Sequence, residues 1–226
     1  MSQWHAVSRE AIARQVVRDI PAGSVINLGI GLPERVGDYL PADAGIVVHT
    51  ENGIIGSGPI VAPPFQDFDL INAGRKPVQL IPGGHFVDHV DSFALVRGGH
   101  LDITVLGAFQ VSANGDLANW STGDPNSLPS PGGAMDLAVG AKQVFAMMNL
   151  FDKSGRAKLC RQCSLPLTAS GVVTQLYTDL AVFQLSQTAP PMVRALVQEL
   201  DLDTLQDLLQ LELDADPQGI APYLTA

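Results

Sequence analysis

Apolar positions in this chain fall into short aliphatic runs cut apart by glycine. Val25-Ile26-Asn27-Leu28, Ile46-Val47-Val48, Val78-Gln79-Leu80-Ile81, Ile103-Thr104-Val105-Leu106, Val144-Phe145-Ala146-Met147 and Leu180-Ala181-Val182-Phe183 each have the length of a strand. Most do not alternate apolar with polar residues, which predicts strands covered on both faces, the habit of parallel sheets. Helical spacing precedes the first run. Ser8 supplies an N-cap for a helix to about Arg18, with Ile12, Val16 and Val17 on one face and Arg9, Arg14 and Gln15 mostly elsewhere. After Leu28 comes Gly29-Ile30-Gly31-Leu32-Pro33, then a helical stretch over 34–40 with Pro33 in its first turn. A last helix is predicted over 203–211, followed by a polar tail from about residue 212. The pattern predicts an α/β fold, an open and mostly parallel sheet with flanking helices, in one domain over residues 1–226.

The punctuation itself carries information. Pro82-Gly83-Gly84-His85, Arg97-Gly98-Gly99-His100 and Pro131-Gly132-Gly133-Ala134 read as turns beside strands, and so many Gly-Gly pairs point to close backbone approach around one crevice. Residues 119–131, rich in Ser, Gly, Pro and Asp, form a loop long enough to border a site. The Gly29 to Pro33 turn can offer amides at a helix start to an anion. It is no dinucleotide fingerprint, because Glu34 occupies the third glycine position, so a tight strand-to-helix turn is expected instead.

Composition narrows the function. At 226 residues, 46% hydrophobic and 6% aromatic with 22 Gly and 16 Pro, the chain has enough apolar surface for a core without disulfides. A net charge of −10 with 13 scattered cations argues against nucleic acid or anionic membrane as partner, and any anionic ligand must then be held by local donors. The N-terminus shows no basic segment followed by an apolar core, and no run is long enough to span a bilayer, so a cytoplasmic protein is expected. Cys160 and Cys163 form a C-x-x-C without a second cysteine pair or a His-x-x-x-His. The expectation is two reduced thiols entering a strand, with no metal.

Glu51 is the candidate for chemistry. It follows Ile46-Val47-Val48 directly in the run His49-Thr50-Glu51-Asn52-Gly53 and precedes a glycine-rich stretch ending at Pro59. Burying a carboxylate is unfavourable unless donors surround it, and one with few partners becomes a proton donor or a nucleophile. A strand-end Glu that merely caps the next turn is the other reading, and the local residues leave both open.

Longer motifs bear on the choice. T-E-N-G-I-I-G-S-G-P at 50–59, L-I-N-A-G at 70–74, S-F-A-L-V-R-G-G-H-L-D-I-T-V-L-G-A-F-Q-V-S at 92–112, G-D-L-A-N-W at 115–120 and G-G-A-M-D-L at 132–137 resemble, in order, the B subunit of class I 3-oxoacid CoA-transferases. Asn119 to Pro125 together with A-V-G-A-K-Q-V-F at 138–145 is more similar to the 3-oxoadipate branch than to the acetoacetate branch. The resemblance implies a CoA-transferase fold, a companion A subunit in a hetero-oligomer expected as α2β2, and CoA moved from succinyl-CoA to a 3-oxoacid. It implies Glu51 as nucleophile and Gly133 as an oxyanion donor, with Asn52, Gly53, Arg75, Asn119, Gly132, Gly29 and Gly31 around the substrate or CoA. Coenzyme A thioester enters as a substrate, and no permanently bound cofactor is implied.

The chain also departs from that pattern. Met148-Asn149-Leu150 stands where the family carries Met, an acid and His, and Thr174-Gln175-Leu176 replaces Asp-Arg-Ile. Two other readings therefore stand beside the transferase: a noncatalytic scaffold subunit, and an acyl-CoA hydrolase using the same glutamate. The proposed chemistry needs no base, so His49, His85, His89 and His100 read as structural or supporting, and Trp120 reads as a core aromatic or a platform for adenine.

Overall fold

The computed structural model describes residues 4–124, 126 and 129–224. Pro125, Ser127 and Leu128 of the loop expected at 119–131 lie outside the described residues, as do residues 1–3, 225 and 226. The chain runs from α1 (Arg9–Arg18) through β1 (Val25–Leu28), a 3-10 helix (Pro33–Tyr39), β2 (Val47–Thr50), β3 (Ile54–Ile60) and β4 (Val78–Phe86) to α2 (His89–Arg97). It continues with β5 (Ile103–Gly107), β6 (Gln110–Ser112), β7 (Leu117–Ala118), α3 (Ala134–Gly140), β8 (Gln143–Met147) and β9 (Leu159–Cys160). Last come β10 (Val173–Tyr177), β11 (Ala181–Gln184), β12 (Met192–Leu196), α4 (Leu202–Leu209), β13 (Asp214–Ala215) and β14 (Ala221–Pro222).

The main sheet runs β13-β12-β11-β10-β8-β5-β1-β2-β3-β4, with β14 also on β12. Among the described residues six of its ten pairings are parallel, including all four that join β2, β1, β5, β8 and β10. This is the open, mostly parallel sheet with flanking helices that the apolar runs predict. The central strands bury nearly every side chain, Ile26, Ile103, Val105, Phe145 and Ala146 among them, because helices and loops cover both faces. A small second sheet, β7-β6-β9, lies beside it.

Strand order creates the crevice. From β1 the chain passes through the 3-10 helix to β2 on one side, and β5 later joins β1 on the other, so the loops leaving β1 and β5 diverge at their carboxyl ends. Open parallel sheets hold ligands at such a switch point. Gly29 sits at that point, with its N–H on Val105 O at 2.8 Å. A Cβ there would lie 3.1 Å from the same oxygen, so only a bare backbone passes comfortably.

Several local readings change. The Pro82 to His85 segment is no turn but the interior of β4, bulged where the register with β3 shifts. The glycine-rich run after Gly53 is β3 itself, with cross-strand pairing outweighing its low strand propensity. Pro131 to Ala134 leads straight into α3, and α2 begins at a capping Asp88 whose side chain accepts from Val90 N at 2.8 Å. The segment after 212 is largely exposed yet anchored: β13 and β14 pair with β12, and the buried Tyr223 donates to Thr178 O at 2.7 Å.

Helix α1 begins as its residues dictate, with Ser8 Oγ accepting from Ala11 N at 3.2 Å, and buries Ala11, Ile12, Ala13 and Val16. No helix is long and apolar enough to cross a membrane among the described residues. Because Ile12 is only 1% exposed in the core, Ile12→Ala should lower the unfolding free energy by about 2–5 kcal/mol, read from the shift of a urea transition.

Candidate active site

Four strand ends meet at one cleft of about 630 Å³, a volume suited to a small-molecule substrate. Gly29 and Ile30 follow β1, Glu51 follows β2, Gly107 to Phe109 end β5, and Met147 to Asn149 end β8. Ser130 to Ala134, leading into α3, and Asn119 and Trp120 close the other wall. Of the residues singled out from the sequence, Glu51, Gly29, Asn119, Gly132 and Gly133 therefore share this cavity.

Glu51 is half-buried, and among the described residues no ion pair includes it. Its Oε2 accepts from Asn27 Nδ2 at 3.0 Å. Asn27 is fully buried in β1, and the same Nδ2 donates to His49 O at 3.2 Å and lies 3.4 Å from His49 Nδ1. His49, 1% exposed, places Nε2 at 2.9 Å from Ser92 Oγ, and Ser92 donates to Thr50 O at 3.3 Å. With the Ser92 proton so committed, His49 Nε2 is assigned as the donor and Nδ1 as the acceptor facing Asn27. The amide orientation follows too, since a flipped Asn27 would set oxygen against carboxylate. Asn27 Oδ1 has no partner among the described residues, so Nδ2 carries all of this side chain's bonding.

Turn geometry explains why Glu51 stands at the corner. Gly53 N donates to Thr50 O at 3.0 Å and its carbonyl accepts from Val87 N at 2.9 Å, at a φ of 105°. A Cβ on Gly53 would collide with the Val87 carbonyl oxygen, so glycine is required there.

Other assignments move away from the cleft. Gly53 and Asn52 shape the turn without lining the cavity, the exposed Asn52 donating to Ile71 O at 2.8 Å. Gly31 donates to Glu34 Oε2 at 3.0 Å, in a separate hollow with Arg35 and Lys76. Arg75 is exposed in a tight turn at φ 61°, its N–H on Asn72 O at 2.9 Å. None of these four residues lines the cleft: Asn52 and Gly53 build the turn that carries Glu51, while Gly31 and Arg75 lie in other turns.

On the opposite wall, Asn119 Oδ1 accepts from Thr168 Oγ1 at 2.6 Å, fixing the side chain. Gly133 is the N-cap of α3 and packs against Phe93, where a Cβ would come 2.9 Å from the ring. No acceptor among the described residues takes its N–H. Trp120 is not a core residue: it lines the cleft and donates to Leu167 O at 3.1 Å. Of the histidines, His49 supports the site from within, while His85, His89 and His100 are exposed. Asn149, at a family departure, lies at the cleft with Nδ2 on Asp179 Oδ2 at 3.1 Å, and Thr174 Oγ1 donates to Val144 O at 3.1 Å inside the sheet. Cys160 closes β9 and both cysteines are free thiols.

Two groups escape the sequence reading: the buried Asn27 behind Glu51 and Lys158 on the cleft wall. Asn27 had a signal, a polar residue inside an apolar strand run. Lys158, which lines the cavity from just before β9, had none.

Burial pushes the His49 pKa down, opposed by the nearby Glu51 charge and by its bond with Ser92. The unfolded chain therefore holds the proton more tightly, and stability present above the unfolded value near 6.5 is lost as pH falls toward the depressed folded value. Relative to His49→Gln, the wild type should lose stability on acidification below that value at up to about 1.4 kcal/mol per pH unit, measured by denaturation at stepped pH.

The coenzyme A transferase family model matches residues 9–202. The B subunit of 3-oxoadipate CoA-transferase from Pseudomonas putida KT2440 is 50% identical over 202 residues, covering 89% of this chain and 94% of that protein. The Acinetobacter baylyi protein of the same name is 47% identical over 216 residues, covering 96% and 99%. The B subunit of a succinyl-CoA:3-ketoacid coenzyme A transferase from Helicobacter pylori is 44% identical, covering 91% and 98%. The fold matches an acyl-CoA transferase of Escherichia coli O157:H7 at 18% identity and a TM-score of 0.75, with this chain covered to 96% and spanning 44% of that longer one. It also matches glutaconate coenzyme A-transferase of Acidaminococcus fermentans at 17% identity and a TM-score of 0.68, covering 99% and 92%. The chain belongs to the coenzyme A transferase family.

Proposed function

We propose that this chain is the B subunit of a cytoplasmic CoA-transferase that moves CoA from succinyl-CoA to a 3-oxoacid, 3-oxoadipate foremost, through a thioester on Glu51. The observation that carries the reading is a carboxylate at the end of β2, in the cleft that opens at the switch point, oriented by one buried amide and paired with no cation among the described residues. A neutral donor orients an anion without quenching it as an ion pair would.

In the first step a Glu51 oxygen attacks the thioester carbonyl, and the C–S bond breaks to give a mixed acyl-glutamyl anhydride and CoA thiolate. The thiolate then attacks the glutamyl carbonyl, releasing the acid as carboxylate and leaving glutamyl-CoA. An acceptor carboxylate attacks that thioester, re-forming an anhydride and thiolate. Thiolate attack on the new acyl carbonyl yields product and restores Glu51. Every nucleophile is already an anion, so no base is required, and among the described residues no histidine lines the cleft.

Each attack passes through a tetrahedral oxyanion. The unpaired Gly133 N–H is the chain's own candidate to receive it, and one such donor lowers the barrier by about 3 kcal/mol. Exposed Phe65, Phe68, Phe86 and Val90, 63–83% accessible, support a companion A subunit that covers them.

Reconstituted with that subunit and given succinyl-CoA, the wild type should show a CoA adduct at Glu51 by mass spectrometry. Glu51→Ala should lose both the adduct and about three orders of magnitude or more of turnover. Absence of the adduct from active wild type would sink the mechanism, and acid release undiminished without an acceptor would favour hydrolysis. Asn27→Leu removes the hydrogen bond that aims the carboxylate, so kcat should fall about ten- to a hundredfold with little change in KM, read by steady-state kinetics.

A further inference from the structure

The cleft contains a positive charge that the acyl-transfer steps leave unused. Lys158 is half-buried on its wall, with Nζ donating to Ala108 O at 3.1 Å just past the end of β5. None of the ion pairs among the described residues includes it. Burial pushes its pKa down, against weaker opposing pulls from Asp179 and Asp152. Both acids are engaged elsewhere: Asp179 accepts from Leu150 N at 2.7 Å and from Asn149, and Asp152 accepts from Ser154 and Arg156. The ammonium thus faces the cavity with one neutral partner and spare donors.

Such a group is unfavourable to keep unless something arrives to use it. In a chain of net charge −10, a doubly charged acid meets general repulsion, and a local cation is what makes its entry favourable. Glu51 and Ala108 stand at the ends of β2 and β5, on either side of β1, so an acyl group joined at Glu51 and extending along the cleft floor runs toward Lys158.

We propose that Lys158 receives the distal carboxylate of a dicarboxylic acyl group, the one not joined to sulfur, and so selects dicarboxylic over monocarboxylic acids. The inference rests on the transferase reading and assigns its substrate class to one side chain. A carboxylate at Nζ forms a charge-assisted hydrogen bond and restores the solvation that burial removed. Arg can supply the same charge, whereas Gln keeps an N–H for Ala108 O and loses the charge.

The test uses the complex with its A subunit and the first half-reaction alone, following CoA-adduct formation at Glu51 from succinyl-CoA and, separately, from acetoacetyl-CoA. In Lys158→Gln the ratio of the two specificity constants should shift toward acetoacetyl-CoA by about tenfold or more, and Lys158→Arg should recover most of the wild-type ratio. An unchanged ratio in Lys158→Gln, with both rates lowered together, would mean that Lys158 touches CoA or only holds β9, and would overturn the proposal. Should Lys158→Gln fold poorly by thermal unfolding, the Arg variant and free succinate against acetate as inhibitors of the wild type decide it: succinate no better than acetate overturns it. Wild type that forms no adduct with either thioester removes the transferase reading as well, whereas an adduct with an unmoved ratio removes only the role of Lys158.

Discussion

One amide nitrogen, Nδ2 of Asn27, ties the chemistry to the sheet. It donates to the backbone of β2 at His49 and to the Glu51 carboxylate, so the register of β1 with β2 and the aim of Glu51 are set by the same side chain. Asn27 is wholly buried and its Oδ1 is unpartnered among the described residues. A buried polar atom left in this way is unfavourable, and the residue persists where an apolar one would pack a strand interior better. His49 and Ser92 extend the restraint to α2, which brings a third element to bear on Glu51.

The switch between β1 and β5 does the rest. Divergent loops open a crevice whose floor is backbone, and Gly29 lets that floor lie close against Val105. The cleft joins residues far apart in the chain: Glu51 after β2, Lys158 before β9 and Gly133 at the start of α3. A neutral donor holds the Glu51 carboxylate, while the half-buried Lys158 ammonium bonds to Ala108 O instead. That separation leaves the carboxylate without an ion-pair partner among the described residues.

Electrostatic sign at the site differs from that of the chain as a whole. Much of the acidic excess lies toward the C-terminus, on and after α4, while the cleft is lined mainly by glycine, apolar side chains and neutral amides. Against apolar walls of low polarisability a single charge acts more strongly than it would in bulk water.

The apolar runs determined most of the sheet: β1 matches its predicted span, and β5, β8 and β11 agree to within a residue at either end. Such runs are legible because strands covered on both faces need aliphatic side chains throughout, whatever their neighbours. Motifs singled out Glu51, Gly133 and Asn119, and folding brings these three to one cleft. Folding alone decided that β3 and the second half of β4 are strands, since the glycine-rich run after Gly53 has low strand propensity and Gly83 and Gly84 read as a turn until a partner strand supplies their hydrogen bonds. It alone separated Arg75, Asn52, Gly53 and Gly31 from the cleft, and brought in Asn27 and Lys158. The physical reason is common to all of these: local sequence encodes backbone preference and burial, whereas proximity at strand ends is set by strand order, which no stretch of neighbouring residues contains.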